Sequence, residues 1–249
     1  MTPLAYLRRM MEQLERVGED WSRALAIVAH PDDLEYGTAA AIARWTSQGK
    51  HIVYCLATSG EAGIDAIEPE RCGPLREQEE RDSAAVVGVE SVEFLGHPDG
   101  MLEYGLPLRR DVARAVRRYR PEVVITGYFG ESWAPGGLNH ADHIAVGRCV
   151  VDGVRDAGNR WVFRELLDVG LEPCTVAAVL VGSPFGTHGV DVTDHFDKGM
   201  ASLKAHREYL KGLGEHGMAD PREFLESMAR PSGSRLGVRF GVLFDVITV

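Results

Sequence analysis

Residues 24–33 read ALAIVAHPDD. Six apolar residues in a row, without polar alternation, suit a strand buried on both faces. The His-Pro-Asp-Asp that follows sets ligand and proton-transfer groups at the carboxyl end of that strand. The same plan recurs along the chain. HIVYCLA at 51–57, a short run at 92–95, EVVIT at 122–126, VAAVLV at 176–181 and a closing run at 238–249 read as strands. Helical composition fills 37–48, 75–87, 108–119, 140–156 (with Asn139 as its cap) and 194–213. Buried strands alternating with helices predict an α/β fold: a single Rossmann-like domain over 1–249, with a mostly parallel sheet and helices on both faces. Loops at 58–74 and 127–138 follow strands, at the sheet edge where open α/β folds bind ligands. Leu4, Leu7, Met11 and Leu14 repeat at helical spacing, so 1–22 reads as a leading amphipathic helix. Its apolar face fits the protomer's own core or a second copy in a homo-oligomer.

Composition narrows the function. Lys+Arg 27 against Asp+Glu 37 gives a net charge of −10 over 249 residues. That balance argues against a broad nucleic-acid surface and against docking on anionic lipid. No apolar run is long enough to span a membrane, and the N-terminus lacks the apolar core of a signal peptide. Cys55, Cys72, Cys149 and Cys174 form no CxxC pair and read as free thiols in a reducing, cytoplasmic setting.

Two motifs carry chemistry. His30-Pro31-Asp32-Asp33 ends the first strand, and Asn139-His140-Ala141-Asp142-His143 opens the helix after EVVIT. His140 and His143 share a helix face, and the positive end of the helix dipole favours neutral imidazoles. Both motifs fall at the carboxyl edge of the expected sheet. Two imidazoles and one carboxylate make a catalytic zinc shell with a position left for water, and a spare carboxylate beside it serves as a base. The same donors also suit ferrous iron in an oxygen-using enzyme. A sugar-binding protein without activity is the third reading.

AHPDD after the first strand, with HxDH opening a later helix, resembles the LmbE/PIG-L family of zinc-dependent N-deacetylases acting on amino-sugar compounds. Supporting matches are Thr58 to Gly63, Arg76 and Glu79 ahead of Val87-Gly88-Val89, Asp99-Gly100, and Asp191-Val192-Thr193 followed by Lys198 and Ala205-His206-Arg207. The resemblance implies one Zn2+ per chain on His30, Asp33 and His143, and Asp32 as the base that takes a proton from the attacking water. It implies a protonated His140 facing the oxyanion and the leaving amine, with Asp142 orienting His140. The implied substrate is a small N-acylated sugar or glycoside, contacted by Arg76, Asp99, Glu61 and His206. Other roles stay open for three of them: Arg76 as a surface cation paired with Glu79 or Glu80, Asp99 as a loop-shaping residue, and His206 as a core residue beside Phe196, Leu203 and Leu210. The chain departs from the family pattern at Leu138, where some relatives place a Tyr that assists the oxyanion, and at Glu208-Tyr209, where Ser-Gln is common. Tyr128 and Trp133 lie in the long loop, placed to stack on a sugar.

Overall fold

The computed structural model describes residues 14–133 and 137–249; the expected leading helix falls largely on residues 1–13, outside them. The strands are β1 (Glu15–Arg16), β2 (Arg23–Val28), β3 (His51–Leu56), β4 (Ser91–Phe94), β5 (Val123–Thr126), β6 (Ser132–Trp133), β7 (Gly137–Leu138), β8 (Ala178–Gly182), β9 (His188–Asp191) and β10 (Gly241–Thr248). Eight of them join one sheet in the order β1-β9-β10-β8-β5-β2-β3-β4, while β6 and β7 pair as a separate ribbon. β10 runs antiparallel to β8 and β9, and the other pairings in the large sheet are parallel.

The helices are α1 (Asp33–Gly37), α2 (Ala39–Ser47), α3 (Pro69–Val86), α4 (Leu106–Tyr119), α5 (Ala141–Gly158), α6 (Glu165–Asp168), α7 (Phe196–Leu203), α8 (Arg207–Gly212) and α9 (Pro221–Leu236). Strand periodicity divides the core between two faces. Ala24, Ala26 and Val28 pack with Ile42, Trp45 and Phe196 on one side. Leu25 and Ile27 pack with Val112, Val116, Val146 and Val150 on the other. All four cysteines are buried free thiols.

Four expectations about elements change. Residues 15–16 pair with β9 instead of continuing a helix, with Glu15 opposite His188, because the edge of β9 satisfies their backbone groups. The loop at 58–74 is shorter than it reads, since α3 starts at Pro69, an N-terminal position where proline loses no helix bond. The helix at 194–213 is two, α7 and α8, broken around His206. Helix α9 was not apparent in the sequence; Asp220 caps it, accepting from the N–H groups of Arg222 and Glu223.

Strands β2 and β5 are neighbours, in register from Ala24 opposite Val123. From β2 the chain builds outward to β3 and β4, whereas β5 and β8 lie on the other side. The order reverses at the β2–β5 junction, and the crevice at such a reversal is where open α/β sheets hold ligands.

Candidate metal centre

That crevice brings the two motifs together across 113 residues. Asp33 opens α1, and its Oδ2 accepts from the backbone N–H groups of Ala29 at 3.0 Å and His30 at 2.9 Å. Its Oδ1 is left facing His143 Nε2, 2.9 Å away. His30 Nδ1 lies 3.3 Å from His143 Nε2 and 3.7 Å from Asp33 Oδ2. Donors on bonds of ~2.0–2.2 Å around a tetrahedral centre sit about 3.3–3.6 Å apart; the two imidazole nitrogens have that spacing, Asp33 Oδ1 sits closer to His143 at hydrogen-bond length, and the three residues together form a group that could hold a metal ion.

Each imidazole is aimed by a second partner. Asn139 gives its amide N–H groups to the carbonyls of Tyr128 and Gly130, so its Oδ1 is the acceptor for His143 Nδ1–H at 3.0 Å. Nε2 of His143 is thereby the nitrogen with a free lone pair. His30 Nε2 lies 3.0 Å from Asp99 Oδ1 and 3.2 Å from Asp142 Oδ2. Burial opposes charge on His30, but Asp142, Asp33 and Asp99 outweigh it and push its pKa up to about 12. Burial alone would lift the Asp33 carboxyl, yet His143 and His30 hold it well below the usual carboxylate range. The cluster is built to hold positive charge.

Asp32 stands beside this set on left-handed backbone at φ 100°. Its Oδ1 lies 3.1 Å from an Arg76 guanidinium nitrogen, and Tyr209 hydrogen-bonds its carboxylate. Burial lifts the Asp32 carboxyl above its ordinary value, against the opposing charge of Arg76. Arg76 is itself buried, donates to the carbonyls of Pro31 and Gly60, and stacks on Tyr209 at 4.3 Å. A Cβ on Gly60 would come within 2.5 Å of that guanidinium, at a φ of +63° that also favours glycine.

Several expected roles move. Asp142 does not orient His140 through its carboxylate, which instead takes His30 Nε2 and the N–H groups of Gly100 and Leu102. His140, not Asn139, caps α5: its Nδ1 accepts from the Asp142 N–H at 3.1 Å. That contact corrects the expectation of a protonated His140, because a ring accepting at Nδ1 is neutral and carries its hydrogen on Nε2. Burial and the neighbouring His30 and His143 also push His140 below the ordinary histidine value. Arg76 pairs with Asp32 and is not a surface cation. Asp99 braces His30, while Glu61 braces the Asp99 N–H at 2.9 Å and is not on the cavity wall. His206 is fully buried between Glu35 and Glu80 and does not line the cavity.

A cavity of about 1300 Å³ opens over the cluster, lined by His30, Asp32, His140 and His143 and also by Phe224 and Met228 of α9. Tyr128 and Trp133 flank it, ring centroids 4.9 Å apart, and Leu138 is exposed at its rim. Among the described residues no helix is long and apolar enough to cross a membrane.

The family model for PIG-L, described as GlcNAc-PI de-N-acetylase, matches residues 25–154, a span that runs from β2 through the helix bearing His143. The chain belongs to the PIG-L family. Within it, the diacetylchitobiose deacetylase of Thermococcus kodakarensis is 27% identical, aligned over 81% of this chain and 75% of its own. The 1D-myo-inositol 2-acetamido-2-deoxy-alpha-D-glucopyranoside deacetylase of Kineococcus radiotolerans is 28% identical, over 79% of this chain and 71% of its own. Among solved structures, the N,N'-diacetylchitobiose deacetylase of Pyrococcus horikoshii superposes with a TM-score of 0.82 at 23% identity, covering 100% of this chain and 94% of that one. GalB, the 4-carboxy-2-hydroxymuconate hydratase of Pseudomonas putida, superposes at 0.72 with 17% identity, covering 92% of this chain and 97% of that one. The solved neighbours thus include a deacetylase and a hydratase, so likeness of fold does not by itself fix the reaction, which has to be argued from the site.

Proposed function

We propose that this chain is a single-domain, zinc-dependent hydrolase that removes an N-acyl group, acetyl foremost, from an amino sugar or small glycoside. The products are acetate and a free amine. The observation that carries this reading is the meeting of His30, Asp33 and His143 at ligand spacing beside a buried carboxylate, Asp32, bound to Arg76. The relatives named for deacetylation of diacetylchitobiose and of a GlcNAc-inositol support the substrate class.

His30 Nδ1, Asp33 Oδ1 and His143 Nε2 would hold the cation, which when bound activates water and polarises the amide carbonyl. Asp32 receives the proton of the attacking water; burial lifts its carboxyl above the ordinary value and so makes it a stronger base than an exposed carboxylate. His140 donates Nε2–H to the developing oxyanion as a neutral ring. A neutral imidazole is a weak acid, so the proton held by Asp32 is the one returned to the departing nitrogen. Tyr128 and Trp133 offer ring faces to a sugar. The four buried thiols agree with a cytoplasmic location.

The test is a screen of N-acetylated substrates, diacetylchitobiose and a GlcNAc-inositol among them, with zinc-loaded protein and detection of primary amine. Amine release that stops on chelation and returns with zinc is expected. Absence of release across the panel from protein with full metal occupancy would overturn the reading.

A further inference from the structure

At the Asp32 turn, three more ligand-type side chains converge. Glu35 comes from α1, Glu80 from α3 and His206 from the turn between α7 and α8, and they are 2%, 0% and 0% exposed. Their donor atoms all lie within 4.8 Å of one another. His206 Nε2 is 3.7 Å from Glu35 Oε2 and 3.6 Å from Glu80 Oε2. These separations exceed the ~2.7–3.2 Å of a hydrogen bond. They lie at and just beyond the upper end of the ~3.3–3.6 Å expected between donors sharing one tetrahedral cation. Both ring nitrogens of His206, Glu35 Oε2 and Glu80 Oε1 have no hydrogen-bond partner among the described residues. Buried polar atoms are otherwise nearly always paired, and two carboxylates at this depth need opposing charge.

The remaining oxygens are already engaged. Glu35 Oε1 accepts from Ser83 Oγ at 2.7 Å and Ser202 Oγ at 3.3 Å. Glu80 Oε2 accepts the Asp32 N–H at 3.3 Å. Hydroxyl and amide donors thus fix how each carboxylate faces His206, as outer partners do around a metal.

We propose that Glu35, Glu80 and His206 form a second, buried site for a divalent transition cation with mixed nitrogen and oxygen preference, zinc being the probe of choice. The cation ties α1, α3 and the α7–α8 turn into one support beneath Asp32. Glu35 also borders the large cavity, so the site lies against the wall of the active-site cavity.

The experiment is anomalous diffraction at the zinc edge on crystals of the full chain expressed in zinc-supplemented medium, with metal content by mass spectrometry. Two zinc ions per chain are expected, one between Glu35, Glu80 and His206 and one between His30, Asp33 and His143. Glu80→Gln keeps the acceptor for the Asp32 N–H and should lose only the inner peak, taking the content from two to one; His143→Ala should lose only the outer. If Glu80→Gln does not fold, the wild-type crystals still decide. A wild-type crystal with a filled outer site and no inner peak, for zinc or for manganese or iron after supplementation with those, overturns the proposal; a proton shared within the triad gives that result.

Discussion

Asp32 adopts a backbone conformation that costs an ordinary L-residue about 1–3 kcal/mol, and such strain persists where the surroundings over-determine it. The surroundings here are Glu80 on its N–H, Arg76 on its carboxylate and Tyr209 beside both. Asparagine tolerates the same left-handed backbone, so Asp32→Asn should keep the fold and the zinc while turnover falls by roughly 10²–10⁴. Metal content and kcat measured together check this, and undiminished kcat would remove Asp32 as the base. Asn139 makes a second residue-scale case. Replacing it with alanine takes away the only acceptor described for His143 Nδ1, and zinc affinity should weaken by roughly 10–100-fold. A competitive chelator titration reads this directly; unchanged affinity would show that Asn139 does not aim the ring. The ligand residues were legible because HPDD and HADH are local strings at strand and helix ends. Their outer partners were not. Asp99, from the loop after β4, and Asp142, from the first turn of α5, reach His30 only once the chain has folded, and no spacing in the sequence records that.

Among the elements, the strands were the most readable, because burial on both faces leaves a continuous apolar signature at β2, β3, β5 and β8. What escaped was composed against type. Cys72, Gly73 and Pro74 look like loop yet lie inside α3, and Pro231 and Gly233 lie inside α9. The pair Arg76 and Glu79 was visible as a pattern, but its meaning is tertiary: Glu79 accepts the N–H groups of Glu208 and Tyr209 and so caps the start of α8. Helices α2 and α7 meet closely at Gly199, where a Cβ would stand 2.7 Å from the backbone nitrogen of Ala40. Gly199→Val should force the two helices apart at a cost of about 1–3 kcal/mol. Thermal unfolding should show the midpoint lowered by several degrees, and an unchanged midpoint would mean the contact yields without strain.

At the scale of the whole molecule the centre is an acidic well closed by positive charge. In the metal-free chain, His30 is pushed up to about 12 and supplies that charge as a proton. Its contribution to stability is complete below the ordinary histidine value near ~6.5 and is lost as pH rises toward the raised one. A bound cation must displace that proton, so metal affinity should tighten as pH rises through neutrality. Calorimetry in buffers of different ionisation enthalpy should register proton release on zinc binding; none would mean that His30 is already neutral. Chelation should also lower the melting temperature, since a ligand at 100 times its Kd adds about 2.7 kcal/mol.

Strand β4 ends the sheet on one side with only four residues, Ser91–Phe94. Arg118 lies 3.4 Å from Glu93, and the Arg81 guanidinium covers the Phe94 ring. Brevity and charge of this kind discourage a stray chain from zippering on as an additional strand. Concentrated preparations should accordingly resist fibrillation through this margin, which leaves the opposite edge at β1 and the helical and loop surfaces as the places to look for self-assembly.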